Sequence, residues 1–148
     1  MKERGVTLIE LVITITLIGI AVSAVLGTLA ANAKASADGM IRAQALAIAG
    51  AYLEEIRLKP FVDPDGVEPE SGRVNFDDVR DYDGLVDNGA VDQFGNPIAG
   101  LGQYRVSVAV VNSSALTGVP SAGALRIDVT VTHPAGVDVR VSGYRANY

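Results

Sequence analysis

From Leu11 to Ala33 the chain has 23 consecutive positions without a charged residue, most of them Leu, Ile, Val or Ala. At about 1.5 Å per helical residue that run spans roughly 34 Å, enough to cross the ~30 Å hydrocarbon core of a bilayer. Beyond it, Ile41, Ala45, Ile48, Tyr52 and Ile56 recur at three- and four-residue steps, flanked by Ala49 and Leu53. Arg42, Gln44, Glu54, Arg57 and Lys59 fall largely outside that stripe. The spacing predicts an amphipathic helix with one face to bury. No proline interrupts it before Pro60, so one helix is predicted from Val6 to about Leu58. Such a helix is on the order of 80 Å long. Gly19, Gly27 and Gly39 are its weak points, each costing roughly 1 kcal/mol relative to alanine. A kink or local melting is expected near Gly19 or Gly27 when the helix leaves lipid. Lys59-Pro60 ends it, because proline lacks the amide and disfavours helical geometry just before itself.

After residue 103 the periodicity switches to two. Tyr104, Val106, Val108 and Val110 alternate with Arg105, Ser107 and Ala109. Leu125, Ile127, Val129 and Val131 alternate with polar residues, and so do Val137, Val139 and Val141. Each is a half-buried strand, and Pro134-Ala135-Gly136 turns the last two into a hairpin. The stripe from Ile41 to Ile56 is the cover available for this valine face. The fold class is therefore α+β, a long N-terminal helix packed on an antiparallel three-stranded meander over 104–148. Between helix and meander, residues 60–103 hold ten acids (Asp63, Asp65, Glu68, Glu70, Asp77, Asp78, Asp81, Asp83, Asp87, Asp92) against Arg73 and Arg80. Asp63-Pro64-Asp65-Gly66, Asp83-Gly84, Asn88-Gly89 and Gly95-Asn96-Pro97 mark this stretch as a turn-rich acidic loop.

Composition narrows the chemistry. The chain has 148 residues, room for one ordinary domain, and a net charge of −5. An acidic chain lacks the surplus of Lys and Arg that a sequence-independent grip on nucleic acid needs. Cysteine is absent, which excludes disulfides, thiolate zinc sites and cysteine nucleophiles. The single histidine, His133, reads as a turn residue at the hairpin tip, and no glycine-rich phosphate loop or G-x-S-x-G context is present. The chain is not expected to be an enzyme. Tyr144 is expected to pack under the sheet.

Lys2 and Arg4 precede the apolar run, and the positive-inside tendency keeps that end in the cytoplasm. The run is too long for the 7–15-residue apolar core of a secretory signal peptide. A plain single-pass anchor would satisfy its length, but not Glu10. This acid stands between Ile9 and Leu11 with no Lys or Arg inside the span. A carboxylate in hydrocarbon costs at least a few kcal/mol unless it snorkels, protonates or finds a partner. A plain anchor gains nothing from it. The α-amino group of a neighbouring copy would serve as the partner, provided proteolysis creates that amine just before Val6.

Gly5-Val6-Thr7-Leu8-Ile9-Glu10, after a short basic leader and before a long apolar run, resembles the class III signal of type IV pilins and type II secretion pseudopilins. The resemblance implies cleavage by a prepilin peptidase between Gly5 and Val6, and N-methylation of Val6. It places the assembly contact at Glu10, with Thr7 beside it, and implies the pilin roll as the fold. Val6 departs from the family, which usually has phenylalanine there. Loss of residues 1–5 removes Lys2, Glu3 and Arg4 and leaves a mature net charge of −6. Further along, Tyr52-Leu53-Glu54-Glu55-Ile56, Asn75-Phe76-Asp77-Asp78-Val79, Asp81-Tyr82-Asp83-Gly84-Leu85 and Ser142-Gly143-Tyr144-Arg145 are similar to the D-type minor pilins of MSHA (mannose-sensitive haemagglutinin) pili.

The implied organisation is a leader over 1–5, a transmembrane and assembly half-helix over 6–33, and a periplasmic or extracellular head over 34–148. The implied partners are other pilin subunits, the prepilin peptidase, an inner-membrane assembly platform and membrane lipid. A type II secretion pseudopilin shares the same spine, and a plain membrane-anchored calcium-binding domain is the remoter alternative. For calcium, the candidate ligands are Asp77, Asp78, Asp81, Asp83 and Asp87, although their spacing fails the EF-hand pattern.

Overall fold

A computed structural model describes residues 7–66 and 70–147. Gly5 and Val6, the expected cleavage pair, lie outside the described residues, as do Glu68 and Tyr148. The chain divides between Gly39 and Met40 into two compact units. Helix α1 (Leu8–Arg57) supplies all of the described first unit except Thr7, and part of the second.

In the first unit α1 runs unbroken through Gly19 and Gly27. Its large apolar side chains are exposed, from Leu8 at 82% to Leu29 at 59%. The helix is long and apolar enough to cross a membrane. Its hydroxyls need no outside partner. Thr14 donates to the Glu10 carbonyl at 2.7 Å, Ser23 to Gly19 at 2.8 Å and Thr28 to Val25 at 2.8 Å. In hydrocarbon every polar group must be satisfied internally, and this segment meets that condition for its hydroxyls.

The second unit has the α+β architecture expected. On α1, Ala45, Ile48, Ala49, Tyr52, Leu53 and Ile56 are buried, the same stripe that the spacing predicts. They face a four-stranded antiparallel sheet in the order β1 (Val86–Asn88), β2 (Arg105–Asn112), β3 (Ala124–His133) and β4 (Val137–Ala146). The register sets Val108 opposite Val129, and Val129 opposite Val141. Val106, Val108, Val110, Leu125, Ile127, Val129, Val131 and Val139 thereby form one inward face, all nearly inaccessible. Each such side chain is worth about 1.5–3 kcal/mol on leaving water, so this face and the helical stripe supply most of the driving force for folding. The hairpin between β3 and β4 closes through Gly136, whose φ of 84° is open to glycine at little cost and whose N–H donates to His133 at 3.0 Å.

Strand β1 is the addition to the predicted meander. Three residues are too few to show an alternating pattern, and its place is fixed by pairing with β2, Asp87 opposite Val106. The described residues of the 60–103 segment are otherwise irregular, with 3-10 turns at Arg73–Asn75 and Arg80–Tyr82. Tyr144 does not pack under the sheet. It lies opposite Arg126 on the outward face and is 39% exposed. The inward place at that level belongs to Gly143, where α1 comes close: a Cβ there would stand 2.9 Å from Leu53 Cδ1 and 3.3 Å from its Cγ.

Replacing Gly143 by valine drives a branched side chain into Leu53. The expected loss is about 1–3 kcal/mol, the cost of overpacking a filled core. Calorimetric melting of the full chain in detergent would read it, and an unchanged melting temperature would contradict this packing.

Candidate functional site

The first turn of α1 is set by Thr7. The Leu11 N–H donates to the Thr7 carbonyl at 3.1 Å, the first helical hydrogen bond, so Thr7 occupies the N-cap position. Its Oγ1 accepts the N–H of Glu10 at 3.3 Å, and Glu10 lies exposed in the first turn. The partial positive charge of a helix N-terminus favours a carboxylate at this place. Of the expected processing and assembly residues, Thr7 and Glu10 are therefore brought together, while Gly5 and Val6 lie outside the described residues.

A second cluster sits in the head. The Arg73 side chain is 6% exposed and bonds Glu55 through two nitrogens, Nη2 to Oε2 at 2.8 Å and Nε to Oε1 at 3.3 Å. Its third contact is Nη1 to Asp87 Oδ2 at 2.7 Å. The guanidinium lies 4.4 Å from the centre of the Tyr52 ring. The Tyr82 hydroxyl donates to Glu55 at 2.9 Å, and the Tyr52 hydroxyl donates to Asp87 at 2.8 Å while accepting the Val91 N–H at 3.0 Å. Burial pulls the Arg73 pKa down, but pairing with Glu55 more than offsets it, and the net shift is upward. Burial pushes the Tyr52 hydroxyl up to about 12, with the Asp87 carboxylate adding to the effect. Burial and then Glu55 raise Tyr82 as well. Every group here is engaged with another, which is the condition under which buried charge is tolerated. By sequence Arg73 is one of two cations in an acidic loop; nothing local marks it as the one to be buried.

The five acids expected to share a calcium ion do not converge. Asp81 Oδ2 accepts the N–H groups of Asp77 and Asp78 at 2.8 and 2.9 Å. Asp78 accepts the N–H groups of Arg80 and Asp81. Asp83 accepts the Val110 N–H at 2.8 Å, and Asp87 belongs to Arg73. These four hold the fold of the irregular segment itself. Among the described residues, Asp77 alone of the five belongs to a group of acids that meets, with Asp63, Asp65 and Glu70, one oxygen of each within 4.8 Å of the others. Burial, then repulsion from Asp65 and Asp63, raises the Asp77 pKa.

A groove of about 710 Å³ runs along α1, lined by Ile48, Leu58, Val91, Phe94, Ile98 and Leu101 among others. The acids and base on its wall are already spent: Glu55 on Arg73, Asp92 on Asn96, and Lys59 on the Phe76 carbonyl. The His133 ring lies tilted at 47° against Tyr104, centroids 4.8 Å apart, and its Nδ1 accepts the Ala135 N–H at 3.1 Å. Nothing in these arrangements positively indicates catalysis.

Residues 1–26 match the family described as the prokaryotic N-terminal methylation motif. No curated protein and no solved structure matches the chain. The match supports a type IV pilin-like N-terminus, and with the apolar helix it fits a prepilin anchored in the inner membrane. A motif of this class implies processing by a prepilin peptidase and assembly with other pilins.

Replacing Arg73 by methionine keeps its bulk and strands two partly buried carboxylates. The expected destabilisation is about 3–5 kcal/mol in denaturant titrations, with little rescue by Arg73→Lys because a single ammonium cannot reproduce the paired contacts. The tyrosines give an alkaline signature. Their folded-state pKa values lie above the ordinary 10.0, so their contribution is complete below pH 10 and is lost as pH rises toward about 12. Thermal melting across that window should fall for the wild type and fall less for Tyr52→Phe.

Proposed function

We propose that this chain is a subunit of a type IV pilus filament, most like the D-type minor pilins of MSHA pili. It inserts as a single-pass precursor with its N-terminus in the cytoplasm. Prepilin peptidase cuts between Gly5 and Val6, and Val6 becomes the N-methylated first residue. The subunit then passes through the assembly platform and joins other pilins, Glu10 pairing with the terminal amine of a neighbour.

One observation carries this reading: a lone acid in the first turn of an exposed helix, followed by 23 uncharged residues and lying inside a matched methylation motif. A carboxylate at that depth is expensive alone and useful only if a cation is delivered to it. The head supports the reading in a simpler way, since a helix packed on an antiparallel sheet is the architecture of the pilin roll. The absence of cysteine favours a minor pilin or a secretion pseudopilin over the many major pilins whose C-terminal loop is closed by a disulfide. The pseudopilin is the second reading. Deletion separates the two, because loss of surface filaments follows from the first and loss of protein export from the second.

Two measurements test the proposal. The intact mass of protein extracted from membranes should correspond to a chain that begins at Val6 and carries one added methyl group; a chain retaining Met1–Gly5 would refute the processing. Glu10→Ala should insert in the membrane at least as well as wild type, while its share in sheared filaments drops at least tenfold, the equivalent of about 1.4 kcal/mol, a lower bound for a charge pair in a low-dielectric site.

A further inference from the structure

Four carboxylates meet where the chain leaves α1. Asp63 and Asp65, in the turn that follows Pro60, come together with Glu70 and Asp77, each placing one oxygen within 4.8 Å of the others. Like charges this close disfavour one another's ionised form. Among the described residues neither Asp63 nor Asp77 has a cation for a partner: the ion pairs are those of Arg57, Arg73 and Arg126, and Lys59 Nζ is held by the Phe76 carbonyl. The Asp63 carboxylate is fixed by its own turn, its Oδ1 accepting the N–H groups of Asp65 at 2.8 Å and Gly66 at 2.7 Å. Asp77 carries a further sign of a ligand. Its Oδ1 is closed to solvent and accepts no hydrogen bond among the described residues, whereas the neighbouring Asp78 and Asp81 each accept two backbone N–H groups. A buried charged oxygen without a donor is costly, and in a folded protein such an atom marks the place of a water or an ion. A water would answer that oxygen and leave the four carboxylates repelling. A cation answers both.

We propose that Asp63, Asp65, Glu70 and Asp77 form a calcium site that ties the turn after α1 to the residues leading into the 3-10 turn at Arg80–Tyr82. The donor set is all oxygen, which suits a hard cation. Ca²⁺ holds its oxygens at about 2.3–2.6 Å, so two on opposite sides of the ion lie about 4.6–5.2 Å apart, a sphere that accommodates the observed spread. Mg²⁺ draws its ligands to about 2.0–2.1 Å, demands a near-ideal octahedron and gives up its waters reluctantly. The backbone already supports the closure. The Val79 N–H donates to the Pro60 carbonyl at 3.1 Å, and the Asp77 N–H is held by Asp81 at 2.8 Å, so the two ends of the site are set by contacts other than the ion. The site does not depend on the filament reading.

The test uses the full-length protein in detergent, stripped with a chelator and then titrated with calcium chloride by calorimetry. One Ca²⁺ should bind per chain with a Kd of about 1 mM or tighter, as in extracellular calcium modules. Magnesium chloride should bind about tenfold more weakly or worse. Asp77→Asn and, separately, Asp65→Asn each remove one ligand charge and should weaken calcium binding about tenfold or more, while Asp138→Asn, an exposed acid on β4, should bind like wild type. Asp65 is exposed in a turn, so its variant reports on the site even where Asp77→Asn fails to fold. Because the ion binds the folded chain, the melting temperature of the wild type should climb with calcium, and that of Asp65→Asn should climb less at the same concentration. Saturable calcium binding that is lost in both variants and kept in Asp138→Asn supports the site. The absence of saturable calcium binding, magnesium binding as tight as calcium, or calcium binding unchanged in Asp65→Asn and Asp77→Asn would each overturn it.

Discussion

The head is organised by the burial of one helical stripe against one sheet face. Ile48, Leu53 and Ile56 cover the valines of β2, β3 and β4, and the helix comes so close at Gly143 that no side chain fits between. The same few turns of α1 also supply Tyr52 and Glu55 to the Arg73 cluster. Packing and electrostatics in this unit are therefore not separable: loss of the helix from the sheet would remove the apolar cover and the partners of the buried guanidinium together.

The acidic segment depends on that coupling. Residues 60–103 have ten acids and only two cations, a composition that by itself repels and stays extended. Its described residues give their charges specific duties. Asp78, Asp81 and Asp83 accept backbone N–H groups, which ties the 3-10 turn at Arg80–Tyr82 to β2. Asp87 and Glu55 are neutralised by Arg73, whose contacts span the helix, the segment and the short edge strand. A segment that looks by composition like a solvated loop is in this way the third wall of the core.

At the other end of α1 the solvent logic is reversed. There, exposure of Leu, Ile and Val is compatible with lipid or with other apolar helices, and the hydroxyls fold back onto their own carbonyls so that nothing polar demands water. Against that background a carboxylate in the first turn is the single expensive group, and an expensive group in an otherwise uniform segment is where function concentrates. Its place in the first turn, where the helix carries its partial positive charge, reduces that cost.

By itself the sequence determined the elements and their faces. The helix ends within a residue or two of its predicted bounds, and β2 to β4 bury the predicted valines, because a period of 3.6 or of 2 together with Gly and Pro punctuation is a local property. The cost of Glu10 was equally legible, since it needs only an uncharged neighbourhood along the chain. What only the tertiary structure decided involves residues distant in sequence. Arg73 rather than Arg80 is buried because Glu55, 18 residues earlier, and Asp87, 14 later, meet it in space. Tyr144 faces outward because Gly143 must lie beneath Leu53, and β1 exists because β2 offers it an edge. The expected calcium acids were dispersed for the same reason: proximity along the chain fixed their density, while the backbone amides and the guanidinium they met on folding fixed where each one pointed.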